Sequence, residues 1–434
     1  MITRIEVDGF KSLRGFSLEL SPLTAIIGAN GAGKSNLLDA MKLLSLLAQN
    51  NVTEALKSGR GAVRDQFSRT GSGVVDGIRI STDMLLATAP EHAEPRAPEA
   101  VQTRVRHVME IARTTLPSGV EDVSVARERI DMLGHAGDAW ISAHPAFAPM
   151  ARYGEEDNLR ITVEPAPSPL DHARRQMTIS YTRENVHSAA DIGRHRSLLG
   201  VTGPFMGGVI EDIAAELRAF RLVHLEAARL RLPSDRAAGA ELSADGSNLP
   251  TALASLAPDV RLQIRADLAE LIPGFRSFDV VPADEELRLE IELTDGARVP
   301  ARVLSDGTLR LVALLTLLRS ARPGSVIAVE EPENGIYPGR LRAFVDKLVD
   351  ATTPVGPELP PQVVLTTHSP AILAALRERP DTLVLADLVR RGTDLRSTRM
   401  RTVQSGAPST NGAPTASIRE IERILDAARP EDEA

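Results

Sequence analysis

The residues best suited to chemistry form one glycine-rich stretch near the start of the chain. It consists of Gly28, Ala29, Asn30, Gly31, Ala32, Gly33, Lys34, Ser35 and Asn36. Residues 28–35 match the phosphate-binding pattern of a glycine, four free positions and Gly-Lys-Ser. The glycines let backbone N–H groups close around a phosphate chain, Lys34 reaches its β- and γ-phosphates, and the Ser35 hydroxyl holds Mg²⁺. We therefore expect this loop to bind a nucleoside triphosphate.

Two adjacent carboxylates follow a fully apolar run later in the chain. Residues 326–329 read as a buried strand, and Glu330 and Glu331 come directly after them. A buried strand delivers its C-terminal residues to the crevice beside a P-loop. Glu330 is predicted to orient Mg²⁺ and Glu331 to polarise the attacking water. Surface carboxylates at a strand end are the alternative.

Two further positions complete the predicted site. The apolar run 363–365 ends in Thr366, Thr367 and His368, which places His368 to hydrogen-bond a γ-phosphate or the attacking water. Ser305 precedes a helix with one leucine-rich face, so it is either a plain N-cap or part of a second phosphate-binding helix terminus.

The elements that must position these residues alternate between strand and helix patterns. The pattern predicts strands over 3–7, 16–20 and 23–27, a helix over 36–48, and an antiparallel, β-rich segment from 74 to 183 with strands at 77–81, 104–111, 123–131, 159–163 and 177–181. Helical periodicity returns over 209–230 and 250–271, followed by a hairpin of 278–281 and 287–293.

The expected fold is α/β, a P-loop NTPase head with a mostly parallel core sheet, an antiparallel β-rich lobe and a helical insertion. The predicted domains are the N-terminal part of the head (1–84), the β-rich lobe (85–195), a helical and hairpin segment (196–295), the C-terminal part of the head (296–404), a linker (405–416) and a docking helix with an acidic tail (417–434).

The docking helix is predicted from its own pattern. Ser417 and Glu420 form a capping box, and the apolar face comprises Ile418, Ile421, Leu425 and Ala428. A helix this short needs a surface to dock on. That surface belongs either to the same domain or to a partner.

Composition excludes several classes of protein. Among 434 residues, 43% are hydrophobic and 25% charged, which is ordinary for a globular protein. The absence of cysteine excludes disulfides and Cys-based catalysis. We expect a cytoplasmic chain with no membrane partner, because no signal-peptide pattern or apolar run of spanning length occurs. The net charge of −8 argues against a uniformly basic nucleic-acid binder, although it allows a local basic groove.

Taken together, the motifs resemble one family, the ABC-type ATPases of the SMC/RecF/OLD kind, especially the bacterial predicted ATPases of the AAA_21 type. The resemblance is carried by Gly-Phe-Lys-Ser-Leu at 9–13, the glycine-rich stretch with Asn at 28–36, Leu-Ser-Asp-Gly at 304–307, Glu-Glu-Pro-Glu-Asn-Gly at 330–335 and Thr-Thr-His-Ser-Pro at 366–370. It covers roughly residues 1–50 and 295–385, which would be the two ends of the ATPase head.

The resemblance implies a mechanism with ATP and Mg²⁺ in a head-to-head homodimer. In such ATPases the signature helix of one subunit closes on the γ-phosphate that the P-loop of the other subunit holds, so Ser305 and Gly307 would act in trans. Glu333 and Asn334 fall at the family's D-loop. Lys11 falls where relatives place a phosphate-contacting basic residue, and Gln66 is the nearest candidate for their Mg²⁺-sensing glutamine.

The chain departs from the family pattern in ways that imply slow hydrolysis. The Leu-Ser-Asp-Gly segment at 304–307, which is the signature motif, has Asp306 where transporters have Gly, although this subgroup commonly shows Asp. Tyr337 stands where many relatives have His. Glu330 replaces the usual Asp, and its additional methylene shifts the carboxylate.

Two functions remain open for the ATP cycle. The RecF resemblance suggests a dimer that grips DNA in repair or recombination. Two arginine-rich stretches would serve as its phosphate track: Arg218, Arg221, Arg229 and Arg231, and then Arg390, Arg391, Arg396, Arg399 and Arg401. A solvated helix face and an Arg-rich strand are the alternative explanation. The second function is a regulatory scaffold that controls an effector, such as a nuclease or toxin, in phage defence.

Overall fold

The computed structural model describes residues 1–71, 73–87, 102–153, 160–165, 174–181, 184–201, 208–390, 396–403 and 415–427. The strands are β1 (Ile2–Asp8), β2 (Phe16–Glu19), β3 (Leu23–Ile27), β4 (Arg69–Thr70), β5 (Gly73–Val74), β6 (Gly77–Leu85), β7 (Arg104–Thr115), β8 (Glu121–Met132), β9 (Arg160–Pro165), β10 (Arg174–Tyr181), β11 (Glu184–Gly193), β12 (Arg221–Val223), β13 (Ser234–Asp235), β14 (Phe275–Ala283), β15 (Glu286–Leu293), β16 (Arg298–Pro300), β17 (Val326–Glu330), β18 (Gln362–Thr367), β19 (Leu383–Arg390), β20 (Arg396–Val403) and β21 (Thr415–Ala416). The helices are α1 (Lys34–Leu47), α2 (Val52–Lys57), α3 (Ala139–Ala143), α4 (Val209–Arg218), α5 (Ala227–Leu230), α6 (Leu249–Ser255), α7 (Pro258–Leu271), α8 (Asp306–Arg319), α9 (Pro338–Thr352), α10 (Pro370–Leu376) and α11 (Ile418–Ala427).

A seven-stranded sheet forms the centre of the head, in the order β12-β17-β18-β3-β19-β20-β21. The first five strands are parallel, β20 is antiparallel to β19, and β21 is parallel to β20. Every residue of β3 and β18 is buried, as is typical of strands covered on both faces. Alternate residues of β3 enter two cores: Ile26 packs in one with Leu37 of α1, and Ile27 in the other with Leu311 of α8. The predicted mostly parallel α/β core is therefore present.

The β-rich segment is an eight-stranded antiparallel sheet in the order β11-β10-β9-β8-β7-β6-β1-β2. The predicted strands over 77–81, 104–111, 123–131, 159–163 and 177–181 correspond to β6 through β10. The sheet also takes in β1 and β2, so the lobe continues the N-terminal strands without a break at 84/85. Strand β11 completes the far edge and had no counterpart in the sequence pattern.

The two predicted helical stretches are each interrupted. The helix beginning at Val209 ends at Arg218, and β12 follows because its backbone pairs in parallel with β17. Periodicity cannot distinguish such a short strand from one more helical turn. In the second stretch, α6 and α7 are separated before Pro258, because the residue preceding a proline is disfavoured in helical conformation and Ala257 is extended.

The predicted hairpin is confirmed as the antiparallel pair of β14 and β15. It belongs to a small sheet in which β13 and β16 also pair with β15. This sheet packs with α6 and α7 in the same core as the signature helix α8.

The C-terminal helix docks on its own head. Ile421 of α11 is fully buried in the core that contains α8 and α9, and Ile418 packs against the same core. The Ser417 hydroxyl accepts from the Glu420 N–H at 3.2 Å, whereas the Glu420 carboxylate pairs with Arg401 instead of closing the capping box. Most of the predicted linker, Ala428 and the acidic tail lie outside the described residues. In the described part of the chain, no helix has the length and apolar character needed to span a bilayer.

Candidate nucleotide-binding and hydrolysis site

The glycine-rich loop connects β3 to α1 at the edge of the central sheet. Gly31 and Gly33 have φ of 78° and 90°, in the left-handed region that glycine adopts without strain. A Cβ atom on Gly28 would collide with the carbonyl oxygen of Ala386, and one on Gly33 would collide with the Thr398 side chain. The hairpin of β19 and β20 therefore supports the loop from behind, and glycine is required at these two contacts.

Lys34 lies within the curl of the loop. Its Nζ donates to the carbonyl oxygens of Gly28 at 2.6 Å and Ala29 at 3.1 Å. Burial lowers the pKa of Lys34, while the nearby carboxylates of Glu331, Glu333 and Glu330 act in the opposite direction. The ammonium group is thus held between the loop and the carboxylates after β17.

The loop and the end of β17 face each other across an open cleft of about 320 Å³. The cleft is lined by Asn30, Gly31, Gly33, Lys34, Ser35, Asn36, His224, Glu330, Glu331 and Thr366. Strand order explains the meeting, because β18 alone separates β17 from β3 and the three strands are parallel. The carboxyl ends of parallel strands share one edge of the sheet.

Ser35 and Glu330 provide oxygen donors suited to Mg²⁺. The Ser35 hydroxyl donates to Oε1 of Glu330 at 2.5 Å. Hard oxygen ligands are the ones that Mg²⁺ prefers, usually together with phosphate oxygens and water. Within the described residues no three His, Asp or Glu side chains form a metal cluster by themselves. An ion held here would therefore take its remaining ligands from phosphate and solvent.

Glu331 lines the cleft, and His368, which does not itself line it, contacts the Glu331 carboxylate. Nδ1 of His368 lies 3.2 Å from Oε1 of Glu331, and Asn334 donates to Oε2 at 2.9 Å. Glu331 has a φ of 47°, an uncommon conformation for a residue with a side chain. Its N–H donates to the carbonyl oxygen of Thr366 at 2.9 Å, which holds the backbone of this turn against β18. Strained backbone of this kind clusters at functional sites.

The structure adds two residues that the sequence patterns did not indicate. His224 follows β12, and its Nδ1 lies 3.6 Å from Oε2 of Glu330. The Arg60 guanidinium lies 3.4 Å from Oε1 of the same carboxylate. The signal for His224 was the short run Arg221-Leu222-Val223, which becomes informative once it is interpreted as a strand beside β17.

Gln66 and Lys11 are not part of the P-loop cleft lining, although Gln66 lines a neighbouring pocket that shares His224 and Glu330 with it. The Gln66 side chain is buried and donates to the carbonyl oxygen of Arg60 at 2.8 Å, so it supports the Arg60 loop. Lys11 forms an ion pair of 2.6 Å with Asp39 on α1. Neither residue lines the P-loop cleft.

Ser305 and Asp306 face solvent outside the cleft of their own chain, whereas Gly307 is buried against Gly335. Ser305 is exposed and caps α8, accepting from the Thr308 N–H at 3.2 Å. Gly307 contacts the backbone of Gly335 so closely that a Cβ atom would collide with the Gly335 carbonyl oxygen. Arg231 holds the adjacent Asp306 at 2.5 Å. Neither Ser305 nor Gly307 lines the P-loop cleft.

Most described arginines of the two basic stretches are paired with carboxylates of the same chain. The pairs are Arg218–Glu211, Arg221–Glu241, Arg229–Glu226, Arg231–Asp306, Arg399–Asp387 and Arg401 with Asp387 and Glu420. Arg391 lies outside the described residues. These pairs reduce the positive charge that the stretches offer to a nucleic-acid backbone.

Comparisons with known proteins match both halves of the site. The AAA_21 family model, described as "AAA domain, putative AbiEii toxin, Type IV TA system", matches residues 212–374, and AAA_15, described as "AAA ATPase domain", matches residues 1–70. Structural maintenance of chromosomes protein 1 of Schizosaccharomyces pombe is 41% identical over 78 residues, 16% of this chain and 6% of that protein. The OLD nuclease of Thermus scotoductus is 48% identical over 44 residues, 10% of this chain and 8% of that protein. The matched segments thus span less than a tenth of either relative.

The fold of the chain is similar to that of a solved structure. A crystal structure of an Smc head bound to the C-winged helix domain of ScpA superposes with a TM-score of 0.50 at 11% identity, over 92% of this chain and 98% of that chain. At this identity the likeness concerns the fold. ATPase-domain models match both ends of a chain with an Smc-head fold, and together with the OLD nuclease match they support an SMC/RecF/OLD-like ATPase.

Proposed function

We propose that the chain binds ATP with Mg²⁺ in the P-loop cleft and hydrolyses it slowly to ADP and phosphate as a head-to-head homodimer. The observation that carries this proposal is the convergence of Lys34, Ser35, Glu330 and Glu331 on one cleft, although they come from opposite ends of the sequence. Together they supply the cation, the oxygen donors and the carboxylate that phosphoryl transfer to water requires.

Each residue has a distinct task in the proposed reaction. Water adds to the γ-phosphorus, the bond to the β-phosphate oxygen breaks, and the products are ADP and phosphate. Lys34 balances the charge of the β- and γ-phosphates, and Glu331 orients and polarises the attacking water. His368, in contact with Glu331, contacts the γ-phosphate or the same water. Mg²⁺, held by Ser35 and Glu330, would neutralise phosphate charge.

Slow turnover is proposed from the replacement of the usual aspartate by Glu330. The longer side chain reaches Ser35 directly, at 2.5 Å. The serine oxygen keeps its lone pairs for the ion, but the additional methylene of Glu330 shifts the carboxylate, and small displacements of catalytic groups cost rate steeply.

The exposed signature loop supports dimerisation through the nucleotide. Ser305 and Asp306 face solvent, and Asn334 and Tyr337 are exposed on the turn that contacts Gly307. A helix N-terminus with an exposed serine suits a phosphate presented by a second copy. In a symmetric dimer each copy would give its P-loop to one site and its signature loop to the other.

Two roles for the ATP cycle follow from different observations. The RecF-like resemblance supports action on DNA in repair or recombination, but the paired arginines leave less free charge for it. The description of the AAA_21 model, which names a putative toxin of a toxin–antitoxin system, favours the alternative of a regulatory ATPase that controls an effector. DNA binding measured by fluorescence anisotropy over a salt series distinguishes them, because phosphate contacts weaken as salt rises. ATP-dependent, salt-sensitive binding supports the DNA role, and no binding in any nucleotide state excludes it.

The nucleotide site itself is tested with Lys34→Ala in the full chain. We expect the unmodified protein to bind a fluorescent ATP analogue and release phosphate, and the variant to bind at least about a hundredfold more weakly. Lys57→Ala, an exposed lysine on α2, is the control and should bind normally. Full affinity in Lys34→Ala would contradict the proposed site.

A further inference from the structure

Glu333 is a buried carboxylate in the turn that follows β17. The residue is only 8% exposed. Its Oε1 accepts from the Thr367 hydroxyl at 2.5 Å and from the backbone N–H of His368 at 3.4 Å. Its Oε2 is buried without a hydrogen-bond partner. Burying a carboxylate with one unpaired oxygen is costly, so this position serves more than packing.

The contacts of Glu333 hold the backbone on both sides of His368. The Thr367 hydroxyl donates to Glu333 and accepts from the Ser369 N–H at 2.9 Å. Ser369 in turn caps α10. One carboxylate therefore connects the turn after β17 to the turn after β18, with His368 in the middle of the second turn.

These two turns also carry the contact between His368 and Glu331, of which Glu331 lines the cleft. His368 lies 3.2 Å from Glu331, and the exposed fractions of their side chains are 48% and 33%. No strand pairing continues past Glu330 and Thr366 between β17 and β18. Beyond that point the two turns are bridged by the Glu333 carboxylate, which is buried, and by the contact of Glu331 with His368, which is partly exposed.

We infer that Glu333 is a positioning residue for ATP hydrolysis, which sets His368 against Glu331 through Thr367 and the His368 N–H. The inference rests on the proposed function. Glu333 interacts electrostatically with Lys34 and His368. Burial raises the pKa of Glu333, while the hydrogen bonds from Thr367 and His368 oppose that rise. An acceptor oxygen at Oε1 is what the geometry requires, and an amide would also supply it.

The test compares Glu333→Gln, Glu333→Leu and Thr367→Val in the full chain by kcat, KM, affinity for a fluorescent ATP analogue and melting temperature. We expect Glu333→Leu to lower kcat about tenfold to a hundredfold with nucleotide affinity within about twofold, because a displaced catalytic group costs rate more than binding. Glu333→Gln should stay within about threefold of the unmodified kcat, because its amide oxygen can accept both hydrogen bonds. The kcat of Thr367→Val should lie between those of Glu333→Leu and Glu333→Gln.

A double variant distinguishes an effect of Glu333 on the position of His368 from a general loss of stability. Glu333→Leu should lower kcat no further in a His368→Ala background, because both changes disable the same group. Asp267→Asn, which removes a buried carboxylate from the network with Arg319 and Lys347, is the control that lowers the melting temperature without changing kcat. Unmodified kcat in Glu333→Leu, or additive losses in the double variant, would overturn the inference and leave the proposed function intact. A wild-type protein that neither binds nor hydrolyses ATP would overturn both.

Discussion

The hydroxyl of Ser35 lies 2.5 Å from a carboxylate oxygen of Glu330, although the two residues are 295 positions apart in the chain. The contact exists because β3 and β17 are parallel and flank β18, so that their carboxyl ends open on one edge of the sheet. It joins the two segments that match separate ATPase models. The long middle of the chain is therefore inserted between two halves of one site.

Replacement of the proposed catalytic carboxylate should trap the nucleotide-bound dimer. Glu331→Gln preserves the shape of a side chain held by His368 and Asn334 but removes its ability to polarise water. We expect phosphate release to fall at least about a hundredfold while ATP binding persists. Light scattering in saturating ATP should then give the mass of two chains. A monomer under these conditions would count against the dimer.

A mixing experiment tests whether Ser305 acts in trans. Ser305 is exposed and lies outside its own cleft, so Ser305→Arg should leave ATP binding intact and block turnover by obstructing the partner's site. Lys34→Ala should be inactive because its own P-loop no longer binds ATP, although its signature loop is intact. An equal mixture should recover roughly a quarter of the wild-type rate, since about half of the dimers are mixed and each has one intact site. A mixture that stays inactive would place the signature loop in cis.

The motifs could be predicted because each is continuous in sequence. Residues 28–36, Glu330, Glu331 and His368 all follow apolar strands, and a buried parallel strand places the next residue at the sheet edge. The convergence of these residues therefore followed from the order of strand and motif along the chain.

The remaining features depend on partners that are distant in sequence. Strand β12 has three residues, too few for a period, and its identity comes from pairing with β17. His224 was missed for that reason. Similarly, Arg401 of β20 is paired with Asp387 of β19 and Glu420 of α11, so its charge is not free for DNA. Composition counts arginines, whereas their availability is set by tertiary contacts.

His224 is predicted to influence the Mg²⁺ requirement. Its ring lies 3.6 Å from the Glu330 carboxylate and lines the same cleft. Groups that orient a metal-binding carboxylate typically change metal affinity by at least tenfold when removed. We therefore expect His224→Ala to raise the Mg²⁺ concentration for half-maximal ATP hydrolysis by about tenfold. His195→Ala, in the β-rich sheet region, is the control, and an unchanged Mg²⁺ titration in His224→Ala would refute the role.

Docking of α11 should depend on the buried side chain of Ile421. Ile421 is fully buried, whereas Arg423 on the same helix is exposed. Ile421→Asp buries an unpaired carboxylate and should cost about 3 kcal/mol of docking free energy, while Arg423→Asp should cost less than about 0.5 kcal/mol. Hydrogen exchange should show residues 415–427 losing protection in the first variant and keeping it in the second. Equal protection in both variants would mean that the Arg401 ion pair with Glu420 and the pairing of β21 with β20 hold the segment without the apolar contact.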